Sequence, residues 1–319
     1  MRKSRILLRF SALLLFLATL LPTAISASAA SATGEALTAR AEANADTAVM
    51  RARKVNTYSL KSVSDRNVYS YPTVSVTLGS RSLGNIGKVI NGEVYVPIRR
   101  FVDLAVSGAT VNYDSSTRTV TVVGGGHNIS VSDGAYALYA SGRVFFDDTP
   151  SRVLSDGRMY VPVSNIARAF SLTYKVAAGS ALTLSGTVRA VKSGAEFYDA
   201  DIVYWLSRII SAESRGEPLI GQIAVGNVVL NRVRSKDFPN TVWGVIFDRK
   251  WGVQFSPVAN GTIYGEPSAS SILAAKICLD GFTVSDSALY FLRPSASSSS
   301  WIVNNRPFLF VIGNHYFFS

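Results

Sequence analysis

The chain has 319 residues, with 32 Lys and Arg against 21 Asp and Glu, a formal net charge of +11. Hydrophobic residues make up 48%, enough for packed cores and too many for a disordered protein. One cysteine, Cys278, and two widely separated histidines, His127 and His315, exclude an intrachain disulfide, a thiolate zinc site and a histidine relay, so no metal and no cofactor is expected.

Arg2, Lys3, Arg5 and Arg9 precede the apolar run Phe10 to Leu21, and the small-residue stretch Ala24 to Ala30 follows. A charged region, a short apolar run and an Ala-x-Ala site at Ala27-Ser28-Ala29 predict a cleaved export signal over residues 1–29. The run is shorter than the roughly 20 residues a membrane span needs, so no stable span is expected after cleavage. Cleavage removes four basic residues and no acid, leaving 28 basic against 21 acidic residues, net +7. A basic exported chain suits an anionic cell-wall or membrane surface. Nucleic acid is not expected, because no Arg/Lys stripe interleaved with aromatics is present. Cys278, among Ala274, Ala275, Ile277 and Leu279, reads as a buried small hydrophobe.

Residues 30–69 are rich in Ala, Ser, Thr and charge and read as a tether, with helical character around Glu35 to Arg53. Strand signals begin after Pro72, where Val74 to Leu78 alternates with period two. An internal repeat follows: Asn91-Gly-Glu-Val-Tyr-Val-Pro97 recurs 65 residues later as Asp156-Gly-Arg-Met-Tyr-Val-Pro162. Each copy reads as turn, strand and proline. Short helices follow at Ile98 to Ala105 and Val163 to Phe170, then further strands at Thr119 to Val123 and Ala181 to Leu184. Proline's fixed φ and its tolerance in a first helical turn fit that position. Residues 70–186 thus resemble the duplicated copper amine oxidase N-terminal-like domain, found on exported bacterial proteins. The resemblance implies no copper, and His127 has no companion ligands. Wall attachment and a plain spacer are both open as its role.

Helical periodicity takes over near Gly194. Over Asp201 to Glu213 the apolar stripe is Ile202, Leu206 and Ile209, and one more step of four reaches Glu213. Asp199 or Asp201 caps the start, and Gly216 with Pro218 ends the helix. A carboxyl on the core-facing stripe at a helix C-terminus has its pKa raised by desolvation and by the helix dipole, the condition for a general acid near neutral pH. The same residue could instead cap the next helix or pair with Arg215 or Arg232.

A second helix, Leu219 to Val233, is apolar nearly all round and therefore buried. Gly221, Ala224 and Gly226 permit close packing, and Asn227 and Asn231 need partners, either Glu213 or loop carbonyls. The expected elements after it are a short helix Val242 to Phe247, a loop at Gln254 to Pro257 and a helix Ser268 to Leu279 closed by Gly281. Then come a strand Ala288 to Leu292, a mobile polar loop Ser295 to Ser300, and a strand pair over Phe308 to Phe318 turning at Gly313-Asn314.

Ala212-Glu-Ser-Arg-Gly-Glu217, Gly221-Gln-Ile-Ala-Val-Gly226, Asn231-Arg232, Phe238-Pro-Asn240, Gln254-Phe-Ser-Pro257, Ala288-Leu-Tyr-Phe291 and Gly313-Asn-His315 occur in order. Together they resemble the spore cortex-lytic cell wall hydrolase family over residues 197–319. The resemblance implies a lysozyme-like, mainly helical fold with a small β element, so the chain is expected to be a multidomain α+β protein. It also implies cleavage of peptidoglycan glycan strands between MurNAc and GlcNAc, with Glu213 as catalytic acid, in a secreted protein of the cell wall or spore cortex. Gln254, Ser256, Tyr290 and His315 lie in the matched motifs and are candidates for substrate contact; each could equally satisfy buried backbone. Ser214 stands where the family usually has Ala, and the loop Lys250 to Val253 and the tail Phe318-Ser319 diverge.

Glycoside hydrolysis uses two flanking carboxylates. From Asp201 onward there are eight carboxylate residues, and only Glu217 is near Glu213 in sequence, where it is expected to cap a helix. A single carboxyl points to lytic transglycosylation. A muramidase drawing on Glu217, Asp248 or Glu266, and a wall-binding protein without catalysis, remain alternatives. An amidase or peptidase lacks its zinc ligands or Cys/His pair. Residues 190–319 are expected to fold alone.

Overall fold

The computed structural model describes residues 71–177, 181–294 and 300–319. The expected export signal, the tether and the polar run from Ser295 lie outside the described residues.

The first half is β-rich. Strands β1 (Thr73–Leu78), β2 (Arg81–Ile90) and β3 (Glu93–Pro97) run antiparallel and lead into helix α1 (Ile98–Ala105). Asn91 and Gly92 both take positive φ, 52° and 86°, so the expected turn forms between β2 and β3. A five-stranded antiparallel meander follows: β4 (Ala109–Asp114), β5 (Thr119–Gly124), β6 (His127–Ser132), β7 (Ala137–Ala140) and β8 (Arg143–Phe146). Next come β9 (Arg152–Val153), β10 (Met159–Pro162), helix α2 (Val163–Ala169), β11 (Thr173–Ala177) and β12 (Ala181–Ser185).

The chain returns to its starting sheet, whose order is β11-β12-β1-β2-β3-β10-β9, with β1 and β12 parallel. The two Tyr-Val-Pro segments noted in the sequence pair with each other toward the β9 edge of the sheet: Val96 faces Val161, Tyr95 faces Pro162 and Pro97 faces Tyr160. Pro97 and Pro162 each occupy the N-cap of the helix that follows, without a side-chain cap. Phe101 from α1 and Phe170 after α2 meet at 4.9 Å in the core between the two sheets.

The second half is mainly helical. Helices α3 (Gly194–Phe197), α4 (Ala200–Ser214), α5 (Leu219–Arg234), α6 (Val242–Phe247), α7 (Ser256–Asn260) and α8 (Ala269–Leu279) precede β13 (Tyr290–Leu292), α9 (Ser300–Asn305), β14 (Phe308–Ile312) and β15 (His315–Phe318). The last three strands form a small sheet with β15 in the middle. Asp199 caps α4 by accepting from the amides of Asp201 and Ile202. The Gln254–Pro257 segment, expected as a loop, ends in a helix: Ser256 and Pro257 start α7, and proline is at home in a first turn.

α4, α5 and α8 pack closely. A Cβ on Gly226 would lie 2.8 Å from Cys278 Sγ and 2.8 Å from Ile210 Cδ1, so only glycine fits where the three helices meet. Cys278 is buried and donates to the Ile223 carbonyl at 3.3 Å; burial pushes its thiol pKa up, away from nucleophilic use.

The two halves share one core. Val144 and Phe146 of β8 are buried among the residues of α4, α5 and α8, and the Phe146 ring stands edge-on to Phe282 at 4.7 Å. Asp280, just past α8, has a fully buried side chain. It accepts from Arg143 Nε at 2.8 Å, from the Val144 amide at 3.0 Å and from the Tyr198 hydroxyl. Arg168 Nη2 donates to its backbone carbonyl at 3.0 Å. Residues 190–319, expected to fold alone, thus share part of their core with β8. Among the described residues no helix is long and apolar enough to cross a membrane.

Candidate active site

Glu213 sits in the last turn of α4, on the stripe whose members Leu206 and Ile209 are completely buried. It is half-buried, and burial alone raises its pKa to about 7. Neither arginine weighed from the sequence pairs with it. Arg215 is exposed, and Arg232 is committed elsewhere, its Nε donating to the Leu289 carbonyl at 2.7 Å. A carboxyl held in this way is protonated through much of the neutral range and can give up its proton to a substrate oxygen.

Glu217 lies one turn further on, and it does not cap α5: that helix starts at Pro218 without any side-chain cap. Its carboxylate instead reaches the turn between β14 and β15, accepting from the Asn314 amide at 3.0 Å and from Asn314 Nδ2 at 2.9 Å. Gly313 is required there. Its φ of 56° lies in the left-handed region, and a Cβ there would displace the Glu217 carboxylate from the turn. His315 Nδ1 stands 3.8 Å from Glu217 Oε1. Burial lowers the His315 pKa, partly opposed by Glu217 and reinforced by Arg293.

Of the residues expected to touch substrate, His315 is only 5% exposed, packed against Phe291 and facing Glu217. It is the first residue of β15, inside the hairpin, and offers little surface to a ligand. Gln254 is half-buried and donates to the Gly252 carbonyl at 3.1 Å, and Ser256 is exposed at the first position of α7.

Tyr290 is half-buried at the start of β13, its ring 4.6 Å from the Arg306 guanidinium carbon and 5.3 Å from that of Arg232. Arg232 is buried among Phe238, Phe255 and Tyr290, and burial draws its pKa down to about 10. It thus brings together three of the sequence motifs, those of Phe238, Phe255 and Tyr290. The sequence marks Arg232 as part of the Asn231-Arg232 motif and as a possible partner for Glu213, but not as the centre of a ring cage. The available signal was a charged residue late in an otherwise apolar helix.

Asn227 and Asn231 serve the loop that leads into β13, not Glu213. Asn227 donates to the Phe282 carbonyl at 3.1 Å and accepts from the Val284 amide at 2.8 Å. Asn231 donates to the carbonyls of Ser285 and Ala288 at 2.8 and 2.9 Å. They set the height at which Tyr290 enters the small sheet.

The other carboxylates weighed as partners for Glu213 are engaged. Asp248 accepts from the Lys250 amide at 2.9 Å, and Glu266 pairs with Arg208 at 2.8 Å. Among the described residues no group of three His, Cys, Asp or Glu is placed to hold a metal ion.

Residues 216–318 match the family described as Cell Wall Hydrolase, and residues 85–181 match the Copper amine oxidase N-terminal domain. The spore cortex-lytic enzyme of Bacillus cereus (strain ATCC 14579) is 40% identical over 120 residues, which is 38% of this chain and 45% of that protein. That of Bacillus subtilis (strain 168) is 40% identical over 112 residues, 35% of each chain. The chain thus spans less than half the length of these curated relatives. Among solved structures, the catalytic domain of the germination-specific lytic transglycosylase SleB from Bacillus anthracis is 38% identical, with 40% of this chain covering all of that one at a TM-score of 0.35. The Bacillus cereus SleB catalytic domain is also 38% identical, with 38% of this chain covering 92% of it at the same TM-score.

Proposed function

We propose an exported peptidoglycan-degrading enzyme, from the match of residues 216–318 to the Cell Wall Hydrolase family and of residues 85–181 to the Copper amine oxidase N-terminal domain. It cleaves the glycan strand between MurNAc and GlcNAc as a lytic transglycosylase with Glu213 as the single catalytic carboxyl. The names of the relatives, spore cortex-lytic enzymes, support the substrate class. The observation that carries the reading is the pair of neighbouring glutamates: burial raises Glu213 to about 7, while Glu217 is bound to Asn314.

In this mechanism the protonated Glu213 donates to the glycosidic oxygen as the bond to the anomeric carbon breaks. The carboxylate so formed then takes the proton of the muramyl C6 hydroxyl, whose oxygen closes onto the same carbon and leaves a 1,6-anhydro end. Charge and protons balance without water. The nucleophile is held on the reacting ring, which gives it a high effective concentration. Gln254, Ser256 and Tyr290 line the approach as contacts for the sugar, and His315 supports the hairpin that Glu217 holds. The site of action is the cell wall or spore cortex, reached after export, where the basic mature chain meets an anionic polymer.

Hydrolysis by a second carboxylate is the rival reading, and it would require Glu217, Asp248 or Glu266 to leave its present partner. Mass spectrometry of the soluble products from purified peptidoglycan decides between them: anhydromuramyl ends support the proposal, and reducing muramic acid ends alone overturn it.

A further inference from the structure

An aromatic plate lies on the open side of α4, apart from the candidate acid. Trp205 makes edge contacts with Phe247 at 5.1 Å and Tyr264 at 6.2 Å, and Trp243 stacks on Phe247 at 5.1 Å with 29° between the planes. Trp205 and Phe247 are half-buried against the helical core, while Trp243 and Tyr264 stand out from it, 57% and 61% exposed. Large rings left in water carry apolar area that favours a partner.

The plate and the candidate acid are carried by one helix, α4. The segment after Tyr264 runs alongside α4 in the direction of its C-terminus. Trp205 meets Tyr264, then Arg208 pairs with Glu266 at 2.8 Å, then Ser211 Oγ accepts from the Ser268 amide at 3.1 Å. Glu213 lies eight residues beyond Trp205 on the same helix, about 12 Å along the axis and less than a quarter turn away from it around the axis. The plate and the acid therefore lie toward the same side of α4, one in its first half and the other in its last turn.

From this arrangement we propose that Trp205, Trp243, Phe247 and Tyr264 form a remote sugar-stacking subsite, which takes the pyranose rings of a glycan strand whose scissile bond lies at Glu213. This rests on the glycan-cleaving reading above and adds where the rest of the polymer is held. A pyranose offers an apolar C–H face and a rim of hydroxyls. The plate matches the face, and the exposed Glu266 carboxylate, held by Arg208, matches the rim. Binding so far from the reacting bond makes the enzyme prefer long strands to short fragments.

The test uses the full chain with Trp243→Ala and Tyr264→Ala, and Tyr174→Ala as a control for an exposed aromatic on the other half of the molecule. Peptide-free glycan strands, fractionated into long and short pools, serve both as substrates and as ligands for Glu213→Gln protein. The expected result is a KM for long strands raised roughly three- to tenfold per ring removed, with kcat and short-strand cleavage unchanged and the control silent. Long-strand binding by Glu213→Gln should weaken by the same factor when Trp243→Ala is added. That arm reads the plate even if the parent protein cleaves nothing, which would sink the glycan-cleaving reading alone. Equal losses on long and short strands, or no loss on either, overturn the subsite. So does a concentration-dependent dimer that Trp243→Ala abolishes, because the plate would then be a self-association surface.

Discussion

Glu217 and Asn314 are 97 residues apart in sequence, yet one carboxylate receives both the backbone amide and the side-chain amide of that asparagine, at 3.0 and 2.9 Å. The contact ties the start of α5 to the β14–β15 hairpin. It also divides the work between two glutamates four residues apart: one holds a turn, the other stays free to titrate.

Substitution of the two should therefore separate cleanly. Glu213→Gln keeps the shape and loses the proton, so lysis of purified wall should fall by at least about 10²–10⁴-fold with the fold intact. Glu217→Gln keeps one acceptor for Asn314 and loses the other. It should cost about 1–2 kcal/mol of stability and leave the pH profile of the residual activity in place. Thermal melts and turbidity assays on both variants check this; an unaltered lytic rate in Glu213→Gln would remove it from the mechanism.

Activity should depend on pH through the same group. A general acid raised to about 7 is protonated below that value, so the rate should hold at mildly acidic pH and decline as pH rises through 7. The stability effect has a definite sign. The folded pKa lies above the unfolded value, so stability is greatest below the unfolded pKa and is lost as pH climbs through the folded one. Glu213→Gln should accordingly match the parent near pH 4 and exceed it at pH 8, by at most about 2–3 kcal/mol. Denaturation curves at the two pH values are the measurement, and equal midpoints at pH 8 would contradict it.

Chelation should be without effect. Among the described residues no ligand cluster is placed for a metal, and the proposed chemistry closes the sugar on its own hydroxyl. Treatment with EDTA should leave both the rate and the anhydro products unchanged; loss of activity restored by added divalent cation would count against the scheme.

The Asp280 contact makes a fourth expectation. Arg143→Ala leaves a buried carboxylate without its cation, a change that typically costs about 3–5 kcal/mol. The melting temperature should drop, and a fragment beginning at residue 190 should melt well below the longer chain, since it lacks Val144 and Phe146. A fragment as stable as the longer chain would show that the shared core is dispensable.

Local pattern made much of the fold readable. Helix α4 followed from the spacing of Ile202, Leu206 and Ile209, and its cap from Asp199. The turn at Asn91-Gly92 and the helices after Pro97 and Pro162 rest on φ preferences that act within a few residues. Glu213 stood out because a carboxyl fell on an apolar stripe. What did not show were relationships carried over long stretches of chain. Nothing near Glu217 announces Asn314, and nothing near Asp280 announces Arg143. Ser256 was read as loop because a proline neighbour marks turns and first helical turns alike. Arg232 was misjudged because the rings that surround it, Phe238, Phe255 and Tyr290, arrive from three later segments.

The position of β1 bears on how the β-rich half comes together in time. It is the first strand of the described chain, and it lies between β2, its immediate successor, and β12, which begins at Ala181. Ser75 thus waits for a partner more than a hundred residues downstream, and closure over so long a loop is slow. Until Ala181 to Ser185 have been made and delivered, one edge of β1 carries open amides and carbonyls, the kind of edge that recruits strands from other molecules. Chains interrupted before residue 181 should therefore aggregate, whereas interruptions after residue 185 should let the sheet close.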